Sequence, residues 1–110
     1  IESVPLMNKT PKNVIVFANN LTGSSAEYFL FIAKQSKKVK LFGKPSYGAL
    51  DYGNAYLIDL DCSGYQLLLP TYRALRLPDY PIDNIGIQPD IYMDKTINDW
   101  TNFAIDYLEN

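Results

Sequence analysis

No histidine occurs in the 110 residues, and Cys62 is the sole cysteine. A chain without imidazole has no Ser-His or Cys-His dyad and no imidazole metal ligand of its own. One thiol closes no internal disulfide and forms no thiolate metal cluster. Cys62 lies in Asp61-Cys62-Ser63-Gly64, a hairpin-turn sequence, and reads as a small turn residue. Long apolar runs are also missing, since stretches such as Tyr28 to Ala33 are far shorter than the roughly 20 residues of a membrane-spanning helix. There is no basic excess: Lys and Arg number 10, Asp and Glu 12, and the net charge is −2. The basic cluster of Lys34, Lys37, Lys38 and Lys40 reads as a solvated face at a helix-to-strand junction. Nucleic-acid binding calls for a broader basic surface with interleaved aromatics, so no nucleic-acid partner is expected. No cleavable targeting segment is visible. A first residue Ile1 fits a piece of a longer chain better than a natural start.

What is present suits one soluble globular unit, 47% hydrophobic and 20% charged. Asn13 to Ala18 is a continuous apolar, β-branched run, the pattern of a strand buried on both faces. Asn19 and Asn20 interrupt it. From Ser24 to about Lys37 the residues Ala26, Phe29, Leu30, Ile32 and Ala33 recur at helical spacing, with Glu27, Lys34 and Lys37 on the opposite side. Lys38 to Phe42 alternates as the next strand, and its helical connection predicts parallel pairing with the first. Gly43 to Asn54 is a loop. Tyr56 to Asp61 and Tyr65 to Leu69 flank the Cys-Ser-Gly turn as an antiparallel pair, which Thr71 to Leu77 can extend past a kink or edge at Pro70. Pro78 to Pro89 is turn-rich. Thr96 to Leu108 carries Ile97, Trp100, Phe103, Ala104 and Tyr107 on one helical face. The grammar is α/β.

The stretch richest in chemistry is Asn20-Leu21-Thr22-Gly23-Ser24-Ser25-Ala26-Glu27, where a buried strand turns into a helix. A serine at such a turn is exposed at the strand's C-terminal end. Unpaired N–H groups of the first helical turn face the same space, an arrangement suited to a developing oxyanion. The same residues have a purely structural use, because Ser24-x-x-Glu27 is a capping box.

Thr22-Gly23-Ser24-x-Ala26-Glu27 is similar to the nucleophile motif of the C-terminal processing (tail-specific) proteases, commonly Thr-Ala-Ser-Ala-x-Glu. Leu41-Phe42-Gly43 followed by Tyr47-Gly48 matches their strand, glycine and aromatic-glycine step. Ile82-Asp83-Asn84-Ile85-Gly86-Ile87-Gln88-Pro89-Asp90 is similar to their late Gly-hydrophobic-x-Pro-Asp signature. The three motifs stand in the family's order across Asn13 to Met93, and the chain therefore resembles the family that joins these proteases to the tricorn core, peptidase family S41.

The resemblance implies an α/β core fragment of the ClpP/crotonase-like kind, with a mixed sheet, a nucleophile helix and a C-terminal helix. Residues 1–110 would be the C-terminal part of one peptidase catalytic domain. The implied activity is that of a serine endopeptidase or C-terminal processing peptidase, without cofactor or metal. Ser24 would be the nucleophile and the Ser25 N–H an oxyanion donor. Ser25 itself remains the other choice of nucleophile, though Ser24 keeps the family's Ser-x-x-Glu spacing.

The pattern also departs from the family. The processing proteases activate serine with a lysine directly after the aromatic-glycine step, where this chain has Ala49. Lys44 reads as a solvated loop residue rather than a relocated base. Tricorn-like peptidases use an upstream histidine and a later acid, and Asp83 stands where that acid is expected, with a turn carboxylate as its equal alternative. Asp90 reads as a structural turn; Asp51 is either a groove or a backbone-bonding residue. The base must then come from outside the segment, and the isolated segment is expected to be inactive.

Expected partners are a peptide or protein substrate and the remainder of the catalytic domain, with homo-oligomers compatible. Exposed apolar surface predicts self-association of the segment alone. The resemblance implies a bacterial cell-envelope, periplasmic or secreted location. A competing reading is a non-catalytic relative that binds peptides or glycans, with extended peptides adding along Tyr65 to Leu69.

Overall fold

The computed structural model describes residues 11–62 and 64–110. Strand β1 (Val14–Ala18), helix α1 (Ser25–Ala33) and strand β2 (Val39–Gly43) form the expected strand-helix-strand unit. The strands pair in parallel from Val14 opposite Val39 to Ala18 opposite Gly43. After the hairpin β3 (Tyr52–Asp59) and β4 (Gln66–Arg73), a two-residue strand β5 (Ile91–Tyr92) adds in parallel to the other edge of β2. Helix α2 (Trp100–Glu109) closes the chain, with the Asp99 carboxylate capping it by accepting from Asn102 N at 3.0 Å. The α/β expectation holds, with parallel pairing in the three-stranded sheet and antiparallel pairing in the hairpin.

Strand β2 is central, so its Leu41 and Phe42 are fully buried, one on each side of the sheet. Leu41 joins Ala18, Leu30, Leu50, Ile82 and Ile87 beneath α1; Phe42 packs with Met93 and Ala104 beneath α2. Each such side chain contributes on the order of 1.5–3 kcal/mol by burial. The turn-rich 78–89 segment, irregular as expected, therefore supplies two core residues.

The face of α1 departs from its expected pattern. Glu27 and Leu30 are the buried residues, three apart on one face, whereas Phe29 and Ile32 are exposed. The face is chosen by what the carboxylate can reach, not by apolarity alone. Lys34 is likewise more than a solvated charge: its Nζ donates to Gln88 O at 2.6 Å and pairs with Asp90 at 3.0 Å. Asp90 in turn accepts from Leu41 N at 2.8 Å, which fastens the end of the late signature to β2.

The hairpin runs longer than its sequence pattern and continues through Pro70, which lies opposite Ala55, to Arg73 opposite Tyr52. Its strands are exposed on both faces apart from Gly53, which is half-buried. It projects from the body, and the radius of gyration is 18.6 Å, against about 13 Å for a compact chain near 100 residues. Of the turn at its tip, Ser63 lies outside the described residues, while Leu60 N donates to Tyr65 O and Tyr65 N to Cys62 O.

Candidate active site

The turn from β1 into α1 is pinned at both ends. Thr22 N donates to Asn19 O, and Thr22 O accepts from Tyr47 N at 2.8 Å. Ser24 follows with φ 54° and ψ −121°, in the half of backbone space that a Cβ disfavours. Holding a non-glycine residue there costs on the order of 1–3 kcal/mol. Its side chain is exposed. The Ser25 N–H, the first of the helix, has no acceptor among the described residues. One donor and the positive end of a helix thus stand beside a strained, accessible serine.

Glu27 holds this arrangement together. Ser24 N donates to its Oε2 at 2.9 Å, so the glutamate half of the capping box is closed. The Ser24 hydroxyl stands in register for the other half but closes no hydrogen bond to the cap. The carboxylate, fully buried, also accepts from Ser46 Oγ (2.6 Å), Gly48 N (2.6 Å) and Ala49 N (2.9 Å). Burial alone would raise its pKa. The Ser46 hydroxyl and the Ala49, Gly48 and Ser24 amides outweigh that and hold it below the ordinary glutamate value. One side chain therefore ties the serine turn to the loop that follows β2.

A second clasp joins that loop to the 82–87 turn. Asp83 Oδ1 accepts from Leu50 N (2.6 Å) and Asp51 N (2.7 Å). Asp51 Oδ2 reciprocates by accepting from Ile82 N and Asp83 N, both at 2.9 Å, while Arg76 donates to Oδ1. Burial would raise the Asp51 pKa, but the Asp83 and Ile82 amides and the Arg76 guanidinium hold it below the usual aspartate value. The loops approach so closely that a Cβ on Gly48 would lie 2.8 Å from Asn84 N, and one on Gly86 2.2 Å from Ser46 O. Both have positive φ, 82° and 74°.

Glu27, Asp51 and Asp90 all have lowered pKa values. Their unfolded values are higher, so the unfolded chain binds more protons as the pH falls through this range, and stability rises with pH. The contribution is complete above the ordinary values of 4.5 for Glu27 and 3.8 for Asp51, and is lost as the pH drops through the lower folded values. A melting temperature that is flat near pH 6 and falls steeply below about pH 4.5 is the expected result. A flat profile to about pH 3 would contradict it.

Ser24 and Ser25 line a recess of about 240 Å³ together with Tyr28 of α1, Leu50 and Tyr72 of β4. Of the residues singled out in sequence, these two serines come together. Asp83 makes no bond to Ser24 among the described residues and reaches the site through the Leu50 amide. Asp51 belongs to the clasp, and Asp90 anchors β2. Tyr28, Leu50 and Tyr72 were not legible as site residues, because only the pairing of β3 with β4 carries Tyr72 to α1. A larger hollow of about 510 Å³ lies along α2, lined by Phe103, Asp106, Tyr107 and Asn110, and contains no serine or cysteine.

The sequence profile of peptidase family S41 matches residues 3–93. Among solved structures, the chain is similar to a photosystem II D1 C-terminal processing protease, with 24% identity and a TM-score of 0.55 over 74% of this chain and 20% of that one. It is similar also to the tricorn protease, with 23% identity and a TM-score of 0.65 over 87% of this chain and 10% of that one. The chain thus spans a fifth and a tenth of these proteins, and at such identities the likeness is one of fold. No curated protein matches it.

Proposed function

The chain belongs to peptidase family S41, and from that premise we propose that it is the C-terminal part of a serine peptidase catalytic domain with Ser24 as nucleophile. The observation that carries the proposal is the exposed, strained Ser24 at a helix start, beside an unpaired Ser25 N–H and a recess of side-chain size. Ser24 Oγ attacks the peptide carbonyl carbon and gives its proton to a base. The carbonyl oxygen takes up negative charge facing the Ser25 N–H; the C–N bond then breaks and the amine leaves with the proton. Water completes hydrolysis of the acyl-enzyme.

The base comes from outside this segment, which has no histidine and carries Ala49 where a lysine would stand. Asp83 is a positioning residue in this scheme: Oδ1 anchors Leu50 and Asp51, leaving Oδ2 to orient an external histidine. A cell-envelope or secreted location belongs to the same proposal, and fractionation of the native host checks it.

A fluorophosphonate should label the full-length protein at Ser24, and Ser24→Ala should abolish labelling. Ser24→Gly should be equally unreactive yet more stable than Ser24→Ala by about 1 kcal/mol, since glycine relieves the backbone strain. Labelling that survives both changes refutes the assignment. Ala49 favours a second reading, peptide or glycan binding without catalysis; Ser24-dependent turnover of an unstructured protein would exclude it.

A further inference from the structure

Gly53 and Tyr72 are direct cross-strand partners in the hairpin. A Cβ on Gly53 would lie 2.5 Å from Tyr72 Cε1 and 2.7 Å from both Cζ and Oη. The ring is therefore laid across the glycine instead of standing off the sheet, the cross-strand arrangement in which an aromatic covers a glycine. No left-handed φ is recorded at Gly53, so the backbone does not require glycine there. What requires it is the space taken by the ring. Laid over in this way, Tyr72 forms one wall of the recess at Ser24, with Tyr28 and Leu50 completing it.

We propose that Tyr72, positioned by Gly53, is the specificity-determining wall of a pocket for an apolar side chain of the substrate. This rests on the reading of Ser24 as nucleophile. The side chain is that of the residue whose carbonyl is attacked, because its Cα is bonded directly to the carbon that Ser24 Oγ joins. That residue also stays bound in the acyl-enzyme. The recess of about 240 Å³ is smaller than the roughly 300–1,000 Å³ of a site for a whole small molecule. Its lining offers two aromatic rings and a leucine and no charged group. Leu50 is held in place from behind by the Asp83 carboxylate on its amide. Medium and large apolar side chains gain burial there; acidic and basic ones lose hydration without an opposite charge to pair with.

The test uses the full-length protein and diphenyl phosphonates of N-acylated amino acids with alanine, leucine or phenylalanine side chains. In these probes Ser24 Oγ displaces phenoxide from phosphorus, so the rate of labelling reads the acyl-side pocket alone. The leucine and phenylalanine probes should label at least about 10-fold faster than the alanine probe, the scale on which apolar pockets discriminate. Tyr72→Ala should collapse that ratio and Tyr72→Phe should preserve it. Gly53→Ala displaces only the far end of a flexible side chain, so it should leave melting nearly unchanged yet collapse the ratio like Tyr72→Ala. Ratios that stay at the wild-type value in both Tyr72→Ala and Gly53→Ala overturn this inference while leaving the nucleophile standing. Failure of every phosphonate and of a simple fluorophosphonate to label wild-type Ser24 overturns the peptidase reading and this inference with it.

Discussion

Glu27→Gln is expected to lower stability by about 3 kcal/mol, read as a fall in the urea midpoint at unchanged slope. The wild-type carboxylate is fully buried and accepts from Ser24 N, Ser46 Oγ, Gly48 N and Ala49 N. Glutamine keeps the size but turns an NH2 group toward these donors, so at least one loses its acceptor. A buried donor left unpaired costs on the order of 1–3 kcal/mol, and a hydrogen bond to a charged group is worth more than one to a neutral one. No cation among the described residues shares the effect; the four donors and the helix N-terminus carry it. The change also frees the loop that places Leu50 in the recess. Displacements near 1 Å cost about 100-fold in catalysis, so Ser24 labelling should slow by a similar factor well below the melting temperature. A midpoint shift worth less than about 1 kcal/mol would mean that Glu27 is no more than a helix cap.

Gly86→Ala is the second large effect, a loss of about 3 kcal/mol or more. An added Cβ meets Ser46 O at 2.2 Å and Ser46 C at 2.9 Å, and both are backbone atoms. Side-chain rotation cannot relieve that contact. The loops have to separate, which stretches Ser46 N to Ile87 O (3.2 Å) and Ile87 N to Ser46 Oγ (2.7 Å). Since Ser46 Oγ also donates to Glu27, damage at Gly86 passes to the serine turn. Gly64→Ala supplies the control. Gly64 has a similar φ of 86° with nothing within 4 Å of its Cβ position. It isolates the conformational penalty, about 1 kcal/mol. Equal losses at the two glycines would show that the loop contact contributes nothing.

The sequence alone determined the local units. An apolar run, a polar break and a helical period predicted where β1, the turn and α1 lie, because these patterns are written in residues a few positions apart. The burial of β1 on both faces did not follow, since β1 is an edge strand and its Phe17 is exposed. The Ser24-x-x-Glu27 spacing and the glycines at 48 and 86 were visible for the same reason. The tertiary structure decided what those residues are used for. Glu27 was placed on the polar side of α1, yet it is buried, because its acceptors are matched by donors about twenty positions later in the chain. Strand β5 has only two residues and no period of its own; it exists through its pairing with β2. Gly53 and Tyr72 lie in segments that carry no motif, and only their register makes one the support of the other. A serine at a helix start could be legible as a nucleophile; the pocket beside it could not, since its walls come from a helix, a loop and a hairpin that meet only in the folded chain.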